Sequence, residues 1–194
     1  NKDLGISPAV PPPFDPIIVA SPELSVWGRT YDFTDALFPK SIMSGGNEIL
    51  ASPITLEIDK GGTILSTAAG SAAFNMTSQE EGHVEWEGLQ VVDGLTISTE
   101  CWMDYDGFTW FKVRVVPNGG ATINYMRLLI PMRKEFSTLM NTYDYGVTNT
   151  GNVPPGGFDV AVGAPTYHVR PIWLGEEKGG LQFLNEHTHT WFLN

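Results

Sequence analysis

Positive charge is scarce in this chain of 194 residues, which carries 11 Lys and Arg against 22 Asp and Glu and has a formal net charge of −11. Proteins bind nucleic acids and anionic membranes through clusters of Lys and Arg that neutralise phosphate groups, and the sequence contains no such cluster. We therefore expect neither a nucleic acid nor a membrane as the partner of this protein.

Cysteine and long apolar runs are equally scarce. Cys101 is the only cysteine, which excludes a disulfide within the chain, and its place on the apolar side of a predicted strand indicates a small buried side chain. No apolar run approaches the roughly 18 residues that a membrane-spanning helix needs. The sequence also lacks a Ser-His-Asp order, a phosphate-binding glycine loop and a cysteine-based metal site, so we expect no cofactor.

Glycine, proline and aromatic residues, by contrast, are plentiful, with 21 Gly, 14 Pro and 11% aromatics, whereas only 17% of the residues are charged. This composition is typical of many short strands joined by turns and argues against a helical bundle. We predict an all-β fold, a two-sheet antiparallel β-sandwich. At this length, residues 1–194 are expected to form a single domain.

Residues 83–132 carry the clearest strand pattern, because apolar and polar side chains alternate with the period of a half-buried strand. The turns between the runs are rich in Gly, Asp and Asn, and Asp93-Gly94 supplies the positive φ angles of a tight hairpin. The sequence therefore predicts an antiparallel meander of four strands, the last of them in the middle of its sheet with both faces covered. The predicted strands are residues 83–90, 95–103, 108–116 and 121–132.

The segments around this meander are less regular. Five prolines make residues 1–22 an extended, irregular lead-in over the surface, and residues 24–34 are predicted to form the first strand. Residues 141–165 are predicted to form a long loop of the kind that is often functional, with Tyr143 and Tyr145 as its exposed aromatic side chains. The chain stops in an apolar Trp-Phe-Leu run, from which we expect it to be a piece excised from a longer protein.

Acidic side chains provide one candidate for catalysis. Glu100, Asp104 and Asp106 lie on or beside one predicted hairpin, and Glu85 and Glu87 lie on the neighbouring strand. Glycosidases use two carboxylates roughly 5–10 Å apart, so this group is compatible with a glycosidase or a polysaccharide lyase. Turns and solvent-facing strands also carry Asp and Glu for structural reasons, and turn geometry alone explains Asp106. We therefore assign no catalytic residue and keep catalysis by this chain as an alternative.

Two histidines provide a candidate metal site. In an extended segment, His187 and His189 face the same side and could reach one ion. A third ligand is not evident, because His83 and His168 are distant in the sequence. The two histidines are better explained as ordinary polar residues near a strand end, and we predict no metal site.

Aromatic side chains provide a third candidate. Aromatic faces stack on the apolar side of sugar rings, so an exposed pair would form a carbohydrate platform, although most tryptophans of a β-protein belong to its core. Trp102 and Trp110 alternate with inward-facing residues and are expected to face outwards or towards a second sheet. Together with Tyr143 and Tyr145 they are the predicted carbohydrate-binding residues. The full set of candidate aromatic residues is Trp86, Trp102, Phe108, Trp110, Trp173 and Trp191.

Several stretches carry a resemblance to a known family. Residues 171–186 contain a Trp-Leu-Gly sequence, an acidic turn, a Gly-Leu pair and a closing Glu, and residues 10–14 read Val-Pro-Pro-Pro-Phe. Residues 27–31, residues 48–53 and the Tyr105-Asp106-Gly107 turn supply three further motifs. In their order along the chain, these motifs resemble the N-terminal β-sandwich domain of proteins like glycoside hydrolase family 123, with Phe14 where Trp is usual.

The resemblance implies a function as well as a fold, and the β-sandwich could be the larger mutarotase-like supersandwich seen in sugar-processing enzymes. In that family the sandwich domain precedes a (β/α)₈ barrel, and the barrel carries the catalytic acidic pair for hydrolysis of N-acetylgalactosaminides. Nothing in the sequence predicts a barrel, so none of those catalytic residues maps onto this chain. The resemblance implies a non-catalytic accessory domain of a secreted bacterial glycoside-hydrolase-like protein, extracellular or periplasmic, which braces the downstream catalytic domain and contacts a glycan.

Two alternatives stay open beside this reading. The chain could act as an autonomous carbohydrate-binding module, or as a glycosidase or polysaccharide lyase in its own right.

Overall fold

The computed structural model of the protein describes residues 9–144, 147–152 and 171–184. Antiparallel strands joined by turns dominate, and within these ranges the only helical segment is a single 3-10 turn. The predicted all-β class is confirmed, and the several antiparallel sheets are consistent with a β-sandwich. The chain divides into two compact units, Asn1–Pro131 and Met132–Asn194. No helix in the described ranges is long and apolar enough to cross a membrane.

The described part of the first unit forms three sheets, with the strands numbered in chain order. The strands are β1 Ile18–Ala20, β2 Glu23–Val26, β3 Arg29–Asp32, β4 Ser41–Ser44, β5 Asn47–Glu48, β6 Thr55–Lys60, β7 Thr63–Ser66, β8 Ala73–Gln79, β9 His83–Val92, β10 Leu95–Asp104, β11 Thr109–Pro117 and β12 Ile123–Leu129. The sheet orders are β1-β2-β3-β4-β5, β11-β10-β9-β8 and β12-β6-β7. Strand β1 lies within the lead-in that was predicted to be irregular.

A hairpin occupies the place where one strand was predicted over residues 24–34. Strand β2 pairs with β3, with Val26 opposite Arg29, so Trp27 and Gly28 form a two-residue turn. Gly28 has a φ of 70°, which a tight hairpin turn needs and which glycine adopts without steric cost. The single-strand prediction is wrong, because the alternation of side chains runs on through Trp27 and hides the turn.

The second sheet contains three strands of the predicted meander. Hairpins join β9 to β10 and β10 to β11, and the turn after β9 has positive φ angles at Asp93 and Gly94, as predicted. Along β9 and β10, every second side chain is buried and the side chains between them are more exposed. This part of the meander is therefore confirmed, with β8 added beside β9.

The fourth strand of the predicted meander belongs to another sheet. Strand β12 pairs with β6, not with β11, and lies at the edge of the third sheet. Met126 on β12 is 45% exposed, so the strand is not covered on both faces. The prediction is wrong because the apolar period of a strand does not reveal its partner, and β6 lies far earlier in the chain.

The core of the first unit packs on the inner face of the second sheet. Trp86 is 1% exposed, and its ring centroid lies 5.0 Å from that of Phe33 and 5.9 Å from that of Phe74. Cys101 is directly opposite Trp86 in the strand register and is buried, as predicted. Burial raises the pKa of the Cys101 thiol to about 12, so this thiol stays protonated and unreactive at neutral pH.

The second unit begins with the 3-10 helix Lys134–Phe136 and continues as one sheet. Its strands are β13 Leu139–Asp144, β14 Val147–Asn152, β15 Ile172–Glu176 and β16 Gly179–Phe183, in the order β14-β13-β15-β16. Strands β13 and β14 pair antiparallel, so the prediction of a long loop is wrong for residues 141–144 and 147–152. Residues 145–146 and 153–165 of that loop lie outside the described residues, and the single-domain organisation stays a prediction.

Candidate functional site

Strand alternation gives the second sheet two unlike faces. The inward residues of β9 and β10 belong to the core, and the residues between them form a surface that we call the outer face. The outer face includes His83, Glu85, Glu87, Leu89, Val91, Glu100, Trp102, Asp104, Phe108, Trp110, Lys112 and Val116. All of these side chains are partly or fully exposed.

Two of the predicted carbohydrate-binding residues meet on the outer face. Trp102 is directly opposite Trp110 across β10 and β11, their ring centroids are 6.2 Å apart, and their planes differ by 18°. The ring of Phe108 lies 5.3 Å from that of Trp102. Both indoles are half-buried and Phe108 is exposed. Together the three rings, which we call the aromatic patch, present an apolar surface to solvent.

His83 connects the aromatic patch to two carboxylates. Its Nδ1 donates a hydrogen bond to Oδ1 of Asp104 at 2.7 Å, its Nε2 lies 3.4 Å from Oε1 of Glu85, and its ring centroid lies 5.6 Å from that of Trp102. Partial burial lowers the pKa of His83, but the hydrogen bonds and charges of Asp104 and Glu85 outweigh burial and raise the pKa above its ordinary value. The patch is therefore bordered by charged groups that can hydrogen-bond a ligand.

The carboxylates considered for catalysis have separate surroundings. Glu100 forms an ion pair with Lys112, with 2.7 Å between Oε2 and Nζ. Asp104 accepts the histidine hydrogen bond described above, and Oδ1 of Asp106 accepts the backbone N–H of Phe108 at 2.8 Å. Glu100 and Asp104 lie on the same strand with roughly 13 Å between their Cα atoms. Asp106 is thus a turn residue, whereas Glu100 is directly opposite Glu87 in the strand register.

Comparison with known protein families assigns the chain to one of them. Residues 17–190 match the family model described as glycoside hydrolase 123, third domain. The chain belongs to this family. Searches of curated proteins and of solved structures each found no match. The resemblance seen in the sequence is confirmed for the family, whereas the description as a third domain does not support the N-terminal position that the resemblance implied.

Two motifs that carried the resemblance meet in this family 123 domain. Nη2 of Arg29 donates to the carbonyl oxygen of Asp106 at 2.6 Å, and the hydroxyl of Tyr31 donates to that of Gly107 at 3.3 Å. Gly107 has a φ of 79°, and a Cβ there would lie 2.9 Å from Nη1 of Arg29. Any residue with a side chain would be strained at this φ. The motif residues are therefore structural and fix the turn that carries Phe108 into the aromatic patch.

The remaining predicted site residues of the family 123 domain lie elsewhere. Tyr143 is in β13 of the second unit, opposite Thr148, and Tyr145, His187 and His189 lie outside the described residues. Where the structure describes the chain, no group of three or more His, Cys, Asp or Glu side chains could hold a metal ion. The structure brings Trp102 and Trp110 together, and the carbohydrate-binding role of all four aromatic residues stays a prediction.

The sequence reasoning missed the contact between His83 and Asp104, although a signal for it existed. A two-residue turn at Asp93-Gly94 fixes the register of the hairpin, which places His83 directly opposite Asp104. Counting outward from that turn would have revealed the pair. Asn141 and Gln182 of the second unit were also missed, and no short-range signal marks them because their neighbours come from other strands.

Proposed function

We propose that this chain is a non-catalytic accessory domain of a secreted glycoside hydrolase of family 123, that it braces the catalytic domain of the same protein, and that its outer face contacts glycan. The observation that carries the glycan contact is the Trp102–Trp110 pair, near-parallel and open to solvent. Pyranose rings have an apolar face of C–H groups that stacks on aromatic rings, and their hydroxyls hydrogen-bond carboxylates and imidazoles. The aromatic patch with His83 and Glu85 beside it offers both.

Apolar side chains on the same surface support the bracing role. Leu89 and Val91 on β9 are 49% and 62% exposed, and Val116 on β11 is 39% exposed. The register places Val91 and Val116 on either side of Thr96. Exposed apolar patches of this kind are typical of protein–protein contacts. One end of the outer face thus suits a protein partner, and the aromatic end suits a sugar.

Substitution of the indoles tests the glycan contact. Trp102→Ala and Trp110→Ala remove the stacking surface, so each is expected to weaken binding of N-acetylgalactosamine-containing or plant oligosaccharides at least about tenfold, measured by isothermal titration calorimetry. Trp27→Ala is the matched control, because Trp27 is 51% exposed in the same unit but lies on the β2–β3 turn. Equal affinities for Trp102→Ala and the unsubstituted chain would reject the outer face as a glycan site.

Deletion of the domain separates bracing from recognition. In the full-length glycoside hydrolase, removal of residues 1–194 is expected to lower the melting temperature of the catalytic domain and its activity on a small soluble substrate. An autonomous carbohydrate-binding module would behave differently, since its loss impairs activity only on extended glycans.

Catalysis by this chain is tested with Glu100→Gln and Asp104→Asn on chromogenic glycosides, and turnover abolished by either substitution would refute the non-catalytic assignment.

A further inference from the structure

An open groove of about 450 Å³ lies on the sheet of the second unit. Its walls come from β13, β14, β15 and β16 and from Pro171, which precedes β15. Sugar-binding and other small-molecule sites are concave, with an apolar floor and a few convergent polar groups. The described side chains of the groove include Leu139, Met140, Asn141, Pro171, Trp173 and Gln182.

Three of these side chains stand in one row across the sheet. Asn141 is directly opposite Trp173, and Trp173 is directly opposite Gln182. Directly opposed residues of antiparallel strands project from the same face, roughly 5 Å from neighbour to neighbour. The indole of Trp173 is therefore flanked on both sides by a carboxamide.

Two glycines allow close packing around the indole. A Cβ at Gly175 would collide with Cζ2 of Trp173, and a Cβ at Gly180 would lie 2.5 Å from the carbonyl oxygen of Leu174. Gly175 and Gly180 are themselves directly opposed in β15 and β16. Because Gly175 has no side chain, the six-membered ring of Trp173 lies against it, and the missing side chain of Gly180 leaves room for the backbone of Leu174. The Trp-Leu-Gly and Gly-Gly motifs of the sequence thus shape the groove.

The polar groups of the groove suit hydroxyls. Asn141 and Gln182 are exposed, and neither carboxamide makes a side-chain hydrogen bond to another described residue. A carboxamide donates from its nitrogen and accepts at its oxygen, so it can bind two adjacent sugar hydroxyls at once. No described residue lining the groove carries a charge, and the net charge of −11 disfavours anionic ligands.

We propose that the Trp173 groove is a second glycan-binding site, in which a neutral pyranose stacks on the indole and its hydroxyls bind the carboxamides of Asn141 and Gln182. The site uses strands of the second unit only. It differs in chemistry from the outer face of the first unit, where carboxylates and a histidine border the aromatic rings. It does not depend on glycan binding at the outer face.

The experiment uses a background in which the outer-face indoles are absent, the double variant Trp102→Ala and Trp110→Ala of the 194-residue chain. The probes are neutral oligosaccharides of galactose, glucose, xylose and N-acetylhexosamines, with oligosaccharides of galacturonic acid for comparison. Binding is measured by isothermal titration calorimetry and by tryptophan fluorescence. The background variant is expected to bind at least one neutral oligosaccharide and to bind the galacturonic acid series at least about tenfold more weakly.

Substitutions in the groove then assign the site. Asn141→Ala and Gln182→Ala are each expected to weaken binding roughly fivefold to tenfold, and Trp173→Ala to abolish the fluorescence change. Both amides are exposed, so their loss leaves the fold intact. Asn118→Ala is the matched control, an exposed carboxamide of the first unit that bonds Thr96.

Two results would overturn the proposal. One is a background variant that binds none of the neutral oligosaccharides, and the other is an Asn141→Ala, Gln182→Ala double variant that binds as tightly as its parent. The outer face is judged separately. If the Trp102→Ala, Trp110→Ala background binds every probe as tightly as the unsubstituted chain, the outer face fails as a glycan site and the groove stands.

Discussion

Trp86 and Trp102 lie on adjacent strands of one sheet, yet they have opposite surroundings. Trp86 is 1% exposed and its ring contacts Phe33 and Phe74. Trp102 is half-buried, and its ring contacts His83 and Trp110. The register makes Trp86 the partner of Cys101, so the two indoles belong to opposite faces. The same residue type is structural on one face and available to a ligand on the other.

The difference follows from the strand period alone. Successive side chains of a strand point to opposite faces, so the inner face takes its surroundings from the core and the outer face from solvent. A buried indole contributes to stability through packing, whereas a half-buried indole keeps surface for a ligand. The contrast predicts that substitutions on the inner face change stability and that those on the outer face change binding.

The largest expected effect is that of Trp86→Ala. It removes a fully buried aromatic side chain and leaves a cavity, so the free energy of unfolding should fall by about 3–5 kcal/mol. Trp102→Ala should cost only about 1 kcal/mol, because its ring is half-buried and loses only surface contacts. Urea denaturation followed by circular dichroism measures both. If Trp102→Ala destabilised the chain as much as Trp86→Ala does, the two faces would not differ as we describe.

A smaller effect is expected for Gly88→Ala, two residues from Trp86 on the inner face. An added Cβ there would collide with Oγ1 of Thr99 and lie 2.9 Å from Cδ2 of Leu37. Such overpacking costs about 1–3 kcal/mol. Gly120→Ala is the matched control, because a Cβ at Gly120 meets no atom within 4 Å. Thermal melting of the two variants at matched concentration compares them, and equal melting temperatures would contradict the close packing at Gly88.

The smallest effect is expected from His83→Gln on the outer face, and it depends on pH. The folded pKa of His83 is raised by Asp104 and Glu85 above its ordinary value, so protonated His83 stabilises the fold. This contribution is fully present below the unfolded pKa, about 6.5, and is lost as the pH rises through the folded pKa. The side chain is 38% exposed, which keeps the effect small because solvent screens the charges.

Denaturation across a pH series measures this contribution. The unfolding free energies of His83→Gln and the unsubstituted chain should differ most below about pH 6.5 and converge at higher pH. Gln is polar and cannot carry the positive charge of a protonated imidazole, so His83→Gln removes the pH-dependent contribution. A difference that is constant with pH would show that the imidazole acts by packing alone.

Short-range patterns explain what was predicted correctly. The alternation in β9 and β10 and the turn at Asp93-Gly94 together fix three strands and place Trp102 and Trp110 outside. Only a few residues connect the two strands of a hairpin, so a recognisable turn in the sequence predicts that these strands pair. Three predictions failed, because the sequence pattern does not show which strands pair and can hide a turn. They missed the turn at Trp27-Gly28, the pairing of β12 with β6, and the pairing of β13 with β14.

The sequence by itself determined the all-β class, the family, the outward position of Trp102 and the buried position of Cys101. Each depends on residues close together in the chain or on motifs in a fixed order. Only the tertiary structure revealed the hydrogen bond from Arg29 to Asp106 and the position of Asn141 opposite Trp173. These contacts join strands that are far apart in the sequence. Their pairing is decided by the packing of whole sheets, which no local pattern of side chains records.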